Sequence, residues 1–346
     1  MTFVSKLAKF TSTAAVATLT LTGCVAGEGS GNSADNAAAS GDSTVTVDYA
    51  TYNPLSLIIK EKGWLETALE DQGKDLEWVN SAGSNKANEA LRSGNIDVGS
   101  TAGSAALLAR ANGSPIQVID LYSQPEWSAL VTTENSDIDS VEDLAGKSVA
   151  VTKGTDPYFL LLQALDEAEV SADDVTIENL QHADGRTALD NGEVDAWSGL
   201  DPIMGSAEVE SSDRLFYRNL DFNTYGFLNA TEDFISEDPE AAQTVVDVYA
   251  YARDWALNNQ EEALAIFTEE AGITPETAKV VWKRTHLDID PVPGDQQISV
   301  LKGVGPILVE SGDVASQDDV DNALESIVEP KFAEAADASK VESVVE

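Results

Sequence analysis

From residue 44 onward, hydrophobic residues recur at two different spacings. Short runs such as Thr44–Tyr49 have apolar residues at every second position, which is typical of a β-strand with one buried face. Longer runs such as Leu55–Leu69 have apolar residues three and four positions apart, which is typical of an amphipathic helix. By the same criteria we predict further strands at Leu76–Val79, Ile96–Gly99 and Ile116–Leu121, and helices at Asn85–Ser93 and Ser104–Ala111. Alternation of this kind favours βαβ units and a largely parallel sheet.

A second, similar series begins near Ala129. Strands are predicted at Leu130–Thr132, Lys147–Thr152, Val175–Ile177 and Val194–Trp197, and helices at 140–144, Pro157–Ala168 and Gly185–Asn191. After about residue 230 the pattern is helical, with predicted helices at Pro239–Asn258, Glu261–Ala271, Pro275–Lys283, Gly294–Ser311 and Gln317–Ser326. The sequence therefore predicts an α/β protein with two sheet-containing halves and a helical C-terminal region.

Length and charge narrow the function classes. A chain of 346 residues with 42% hydrophobic content can build a large core, and its length suggests two domains rather than one. The formal net charge is −41, which repels nucleic acid and excludes it as a partner. If the ligand is an anion, the binding site must overcome this unfavourable field with local interactions.

The N-terminal segment has the features of an export signal. Lys6 and Lys9 precede a short apolar stretch that ends in Leu-Thr-Gly-Cys, so we predict a signal peptide over residues 1–23. The Leu-Thr-Gly-Cys run resembles the lipobox of bacterial lipoproteins, which implies lipid attachment at Cys24; the alternative is an ordinary secretory signal. Residues 24–43 are rich in Gly, Ser, Ala and Asn and are predicted to be a flexible tether.

Blocks of residues spread over most of the chain resemble one family. They are Asn88–Leu91 with Gly94–Gly99, Ser140–Lys147, Val151–Thr155, Val194–Trp197 and the pair Asp201-Pro202. Together, in this order and spacing, they resemble the solute-binding proteins for aliphatic sulfonates, taurine and nitrate. The resemblance covers roughly residues 46–335.

The resemblance implies a two-lobed periplasmic-binding-protein fold of type II, in which each lobe is a doubly wound, mostly parallel sheet. Lobe 1 would comprise residues 44–128 and the helical part 231–346, and lobe 2 residues 129–230. The family implies a monomer, lipid-anchored at the outer face of the cytoplasmic membrane, that delivers its ligand to the permease and ATPase of an ABC importer. The implied ligand is a small anionic organic sulfonate, an alkanesulfonate or taurine. Nitrate, bicarbonate and a thiamine-precursor pyrimidine are the alternatives.

Three Gly/Ser/Thr-rich junctions between a strand and a helix are candidate ligand sites. Open α/β sheets bind ligands at the carboxyl ends of their strands, where helix N-termini offer unpaired N–H groups and partial positive charge. Each junction alone is also what an ordinary N-cap or tight turn looks like. The candidate residues are Gly83, Ser84, Thr101, Ala102, Gly103, Lys153, Gly154, Thr155 and Asp156.

Other candidates follow from the resemblance. Tyr52 and Asn53 lie in the loop after the first strand, which contacts ligand in the family, and Gln124 lies where the chain crosses between lobes. Trp197 is either a surface for the apolar tail of an alkanesulfonate or a core residue. Asp201 or Asp156 would receive the ammonium group of a zwitterionic ligand, unless Asp201 is a structural acceptor.

The sequence does not favour an enzyme, a metal site or a cofactor. Catalytic relatives on this fold, an aromatic sulfinate desulfinase and a thiamine-pyrimidine synthase, rely on cysteine, whereas the only cysteine here is Cys24 in the signal region. The two histidines, His182 and His286, lack metal-ligand spacing. His182 is predicted to be a solvated loop residue, with a place at the edge of the cleft as the alternative.

Overall fold

The computed structural model describes residues 44–345, so the predicted signal peptide, Cys24 and the tether lie outside the described residues. The strands are β1 Thr44–Tyr49, β2 Asp75–Asn80, β3 Val98–Ala102, β4 Ile116–Ser123, β5 Ser128–Thr132, β6 Ser148–Val151, β7 Thr176–Asn179, β8 Ala196–Leu200, β9 Arg214–Tyr217 and β10 Gly226–Thr231.

The helices follow the same alternation. They are α1 Pro54–Lys62, α2 Trp64–Glu70, α3 Ser84–Ser93, α4 Gly103–Ala111, α5 Asp156–Glu167, α6 His182–Asp190, α7 Ile203–Glu210, α8 Glu232–Glu237, α9 Pro239–Asn258, α10 Gln260–Glu270, α11 Pro275–Arg284, α12 Asp295–Glu310, α13 Gln317–Ser326, α14 Lys331–Glu334 and α15 Ala338–Val345. Short 3-10 helices lie at Val141–Leu144, Ala172–Asp174 and Leu220–Phe222.

Two five-stranded sheets form the two lobes. Lobe 1 contains the sheet β2-β1-β3-β10-β4, and lobe 2 contains the sheet β7-β6-β8-β5-β9. In lobe 1 only β10 runs against its neighbours, and in lobe 2 only β5 does. Each of these is the first strand after the chain has crossed from the other lobe. The fold is therefore the predicted α/β type, with two mostly parallel sheets that each contain one antiparallel strand.

The lobe boundary differs from the prediction at the return crossing. Because β10 pairs with β3 and β4, the chain re-enters lobe 1 before Gly226 rather than after residue 230. Neither β9 nor β10 was predicted. The predicted helix Leu55–Leu69 is two helices, since Gly63 adopts a left-handed conformation with φ 66° and ends α1.

The C-terminal helices contact both lobes. α11 packs on α7 of lobe 2, and α12 packs on α4 of lobe 1 and on α5 of lobe 2. Leu301 and Leu308 of α12 belong to one hydrophobic cluster with Leu107 of lobe 1 and Phe159 of lobe 2. This region therefore bridges the lobes and does not belong to lobe 1 alone. Among residues 44–345, no helix combines the length and the apolar character needed to span a membrane.

Candidate functional site

Five helices begin near the carboxyl ends of strands without a bond from the N-cap side chain; at one of them, α7 after β8, Asp201 accepts from the N–H of Gly205 instead. The other four are α3 to α6. α3 and α4 follow β2 and β3, and α5 and α6 follow β6 and β7. Their N-cap side chains do not bond to the first turn, whereas those of α8, α9, α11 and α13 do. The first N–H groups of a helix have no intrahelical acceptor and carry partial positive charge. At α4 the N–H groups of Gly103 and Ser104 already donate to Tyr225 and Thr224. The uncapped starts of α3 and α6 retain donors suited to an anionic group.

The starts of α4 and α5 meet at the carboxylate of Asp156. Its Oδ1 accepts hydrogen bonds from the hydroxyls of Ser104 and Thr224, the latter at 2.8 Å. Its Oδ2 accepts one from the indole N–H of Trp127 at 2.7 Å and one from the backbone N–H of Thr224 at 2.8 Å. Burial raises the pKa of Asp156, and the bonds from Ser104, Trp127 and Thr224 oppose that rise.

This network changes the role expected of Asp156. The side chain is 1% exposed, and its two oxygens already accept four hydrogen bonds, which uses the usual capacity of a carboxylate. Asp156 therefore has no free acceptor for the ammonium group of a zwitterionic ligand. In this conformation Asp156 instead accepts from the Ser104 hydroxyl at the start of α4 and from Trp127 and Thr224 of the crossing segments.

The starts of α3 and α6 also meet across the lobes. A Cβ on Gly83 would lie 3.0 Å from Nε2 of His182 and 2.9 Å from Oδ1 of Asn85. His182 is the first residue of α6 and is 2% exposed, so the prediction of a solvated loop residue is wrong. Burial lowers the pKa of His182 from 6.5 to about 4, and its imidazole is neutral at pH 7.

Replacing His182 by leucine should change how stability depends on pH. As the pH falls below 6.5, the unfolded chain gains a proton at His182, while the folded protein does not until about pH 4. Because of His182, the free energy of unfolding of the wild-type protein therefore falls by up to about 1.4 kcal/mol for each pH unit across this interval. When the pH is lowered from 7 to 5, the free energy of unfolding of His182→Leu, measured in urea, should rise by about 2 kcal/mol relative to that of the wild type. An identical difference at both pH values would contradict the buried, neutral state of His182.

A cavity of about 430 Å³ opens beside these helix starts. Asn85 and Asn88 of α3 line it, with Leu108 of α4 and Gly154 from the loop before α5. Arg92 supplies the only cationic side chain among its lining residues. The volume lies within the range of small-molecule sites. The α3 side carries two amides, Asn85 and Asn88, beside Arg92 and the carboxylate of Glu89, and Asp313 adds a second carboxylate to the lining.

Tyr52 and Asn53 have structural partners. The hydroxyl of Tyr52 donates to the carbonyl of Ser100 at 2.9 Å, and its ring meets Trp127 edge-on with centroids 6.1 Å apart. Asn53 caps α1 by accepting from the N–H of Ser56, and its amide donates to the hydroxyl of Tyr249 at 3.1 Å. Their role in ligand binding stays a prediction.

The junction Thr101–Gly103 is packed against neighbouring strands. The hydroxyl of Ser84 accepts from the N–H of Ala102 at 2.9 Å, which links the starts of α3 and α4. The hydroxyl of Thr101 accepts from Asn229. A Cβ on Gly103 would stand 3.0 Å from the ring of Phe227, so close packing favours glycine there.

Gln124, Lys153 and Thr155 occupy different environments. The N–H of Gln124 donates to the carbonyl of His286, so it lies in the crossing segment as expected. The ammonium of Lys153 lies 5.6 Å from the ring centroid of Tyr158. The buried hydroxyl of Thr155 donates to the carbonyl of Thr152 at 2.6 Å.

Trp197 and Asp201 have structural partners in this conformation, although Asp201 also lines a small cavity together with Tyr52 and Trp127. Trp197 is fully buried in the core of lobe 2, and its Nε1 would lie 2.8 Å from a Cβ on Gly185, so the indole sits beneath α6. This is the core position considered as the alternative, and contact with an alkyl tail stays a prediction. Asp201 pairs through both oxygens with Arg284 and accepts from the N–H of Gly205, which is the structural role considered as the alternative.

Residues that the sequence did not single out complete the arrangement. Trp127 and Thr224 come from the two crossing segments, and no spacing pattern ties them to Asp156. Ser104 lay within a predicted junction, but its partner was not foreseeable. Within residues 44–345, no cluster of three or more His, Cys, Asp or Glu residues is arranged to hold a metal ion.

The fold and this arrangement define a two-lobed binding-protein architecture of the periplasmic type. Residues 56–263 match the NMT1/THI5-like family, and the chain belongs to that family. It is 30% identical over 220 residues to a protein from Escherichia coli strain K12 named "Putative aliphatic sulfonates-binding protein", covering 63% of this chain and 69% of that one. A protein of the same name from Bacillus subtilis strain 168 is 30% identical over 237 residues, covering 68% and 71%.

Solved structures show the same fold. The alkanesulfonate-binding protein SsuA from Xanthomonas axonopodis pv. citri, bound to MOPS, superposes with a TM-score of 0.75 at 21% identity and covers 83% of this chain and 98% of that one. The desulfurization enzyme DSZB also shares the fold, with a TM-score of 0.61 at 16% identity over 84% and 97% of the two chains. The two curated relatives above are named as binding proteins rather than enzymes.

Proposed function

We propose that this protein is an extracytoplasmic solute-binding lipoprotein that captures a small organic sulfonate between its lobes and delivers it to an ABC importer. The observation that carries the proposal is the meeting of uncapped helix starts from both lobes beside a cavity of about 430 Å³. The relatives from Escherichia coli and Bacillus subtilis and the SsuA structure are named for sulfonate binding, which supports a sulfonate as the ligand. Cys24 in its lipobox-like context supports membrane anchoring.

Uncharged donors suit a sulfonate on a protein of this charge. Hydrogen bonds to a charged group contribute about 1.5–3 kcal/mol each, so four or five are enough for micromolar binding. Such local bonds oppose the long-range repulsion from a net charge of −41, and they do not require a buried cation at the site. Specificity for a monoanionic sulfonate over sulfate would follow, since a dianion suffers the larger repulsion.

Thermal unfolding against a panel of solutes tests the proposal. Ethanesulfonate or a longer alkanesulfonate at 100 times its Kd should stabilise the protein by about 2.7 kcal/mol and raise its Tm by several degrees. Taurine, nitrate, bicarbonate, sulfate and a pyrimidine complete the panel. If nitrate, bicarbonate or the pyrimidine raises the Tm and no sulfonate does, the proposed ligand class is wrong.

Gly83→Ala provides a site variant with a matched control. Its methyl group would lie about 3 Å from His182 and Asn85, at a φ of 166° that any residue adopts, so we expect loss of the sulfonate-induced Tm shift. Gly303 on α12 has open space around its Cβ position, and Gly303→Ala should keep the full shift. Equal shifts in both variants would remove Gly83 from the site.

A further inference from the structure

His182 is buried without a hydrogen-bond partner at a place where the two lobes meet. Neither Nδ1 nor Nε2 has a partner among the described residues, although the side chain is 2% exposed. Buried polar atoms in native proteins are nearly always paired, and an unpaired one is costly. A solute group that pairs with the imidazole would remove this cost.

The unpaired atoms around His182 are mainly acceptors. Oδ1 of Asn85 approaches the same point above Gly83 from lobe 1, and it has no partner either. Oε1 of Gln181, the residue before His182, is also buried and unpaired. A neutral imidazole offers one acceptor and one donor, so acceptors exceed donors in this set. A solute group that pairs with this set would therefore have to be a hydrogen-bond donor.

The position of this set complements an anionic headgroup. The uncapped starts of α3 and α6 provide N–H donors on either side of Gly83, and the cavity that Asn85 and Gly154 line adjoins them. Asn85 lines this cavity, and its Oδ1 lies with Nε2 of His182 about the Cβ position of Gly83, so a sulfonate bound at the start of α3 would direct its carbon chain toward both side chains. The anionic headgroup of a small solute would then accept hydrogen bonds from the N–H groups, and a donor group on its carbon chain would pair with His182 and Asn85.

We propose that His182 and Asn85 form a specificity subsite that selects sulfonates carrying a hydroxyl or ammonium group on the carbon chain. This inference rests on the proposed function and names the solute class more narrowly. His182 acts by accepting a hydrogen bond through one ring nitrogen, and Asn85 accepts through Oδ1. A plain alkanesulfonate leaves both atoms unpaired and binds more weakly.

Calorimetric titration of the purified protein with three solutes that differ in one substituent tests the subsite. The solutes are ethanesulfonate, 2-hydroxyethanesulfonate and 2-aminoethanesulfonate. We expect at least one of the two substituted solutes to bind about 10-fold or more tightly than ethanesulfonate, because one satisfied buried acceptor is worth about that factor. Comparison of the hydroxyl and amino compounds identifies which donor the subsite takes.

Variants at the two histidines separate a ligand contact from a structural role. His182→Leu should reduce that preference to less than about 3-fold, whereas His182→Gln, which keeps an acceptor, should retain part of it. His286, whose side chain is exposed, provides the control His286→Leu, which should leave all three affinities unchanged.

The outcomes distinguish the two proposals. Equal affinity for the three solutes, or a preference that survives in His182→Leu, would overturn the subsite while leaving sulfonate capture intact. Failure of all three solutes to bind would overturn the proposed function itself. A preference that disappears in His182→Leu and remains in His286→Leu supports the subsite.

Discussion

Replacing Asp201 by alanine should lower the free energy of unfolding by about 3–5 kcal/mol, because it leaves the guanidinium of Arg284 buried without its main partner. Both side chains are less than a tenth exposed, at 5% and 8%. Oδ1 of Asp201 accepts from Nη2 of Arg284 at 2.7 Å, and Oδ2 accepts from Nε, so the pair is bidentate. Urea unfolding at pH 7 measures the loss.

Glu208 supplies the matched control for this prediction. It also pairs with Arg284, at 3.1 Å, but its side chain is 36% exposed. Exposed ion pairs contribute about 0–1 kcal/mol, so Glu208→Ala should change stability by less than about 1 kcal/mol. Similar effects of the two substitutions would show that Asp201 is not the dominant partner of Arg284.

The Asp201–Arg284 pair also bears on lobe movement. Asp201 directly follows the lobe 2 strand β8, whereas Arg284 ends α11 in the C-terminal region. The carbonyls of Arg284 and His286 accept hydrogen bonds from Glu126 and Gln124 in the crossing segment. We therefore expect the Asp201–Arg284 pair to stay intact when the lobes open. The lobes should rotate about a hinge that includes this pair.

Hydrophobic spacing predicted most elements because most of them have one buried face. The spacing placed the strand Thr44–Tyr49 and the helices Pro239–Asn258 and Gln317–Ser326 with the bounds that the structure shows. β9 was missed because its four residues are all half-buried and show no alternation, and β10 because its first five residues are all buried. A two-residue period is visible only where one face of a strand is solvated.

A boundary error explains the misassignment of His182. The predicted helix began at Gly185, but α6 begins three residues earlier, at His182. Gln181 at the N-cap supplies no side-chain hydrogen bond, so the usual sequence mark of a helix start is missing. The lack of a cap, which hid this helix start in the sequence, is also what leaves its N–H groups available to a ligand.

The network around Asp156 shows where prediction from local patterns ends. The sequence indicated that the junctions before α4 and α5 would carry donors at the ends of strands, but not that one junction would contribute a carboxylate to the other. Ser104 and Asp156 are 52 residues apart, and Asp156 and Thr224 are 68 apart. Such a pairing depends on how the lobes close over each other, which no local spacing records.

Asp156→Ala should lower the free energy of unfolding by about 2–4 kcal/mol, because it leaves the donors of Ser104, Thr224 and Trp127 buried without an acceptor. Asp166 on the same helix is exposed, and Asp166→Ala should change stability by less than about 0.5 kcal/mol. Thermal and urea unfolding at pH 7 compare the two variants. A loss no larger than that of Asp166→Ala would mean that the four hydrogen bonds do not stabilise the interlobe contact.

Excess formate should restore part of the stability that Asp156→Ala loses, since its carboxylate fits the donors left unpaired, while chloride at the same ionic strength should not. The wild-type protein should gain nothing comparable from formate, because Asp156 already saturates these donors. Equal rescue by both salts would point to ionic screening and would contradict a specific oxyanion site. Specific rescue would show that the neutral donors where the lobes meet hold a carboxylate on a protein with a net charge of −41, which is the physical property that sulfonate capture requires.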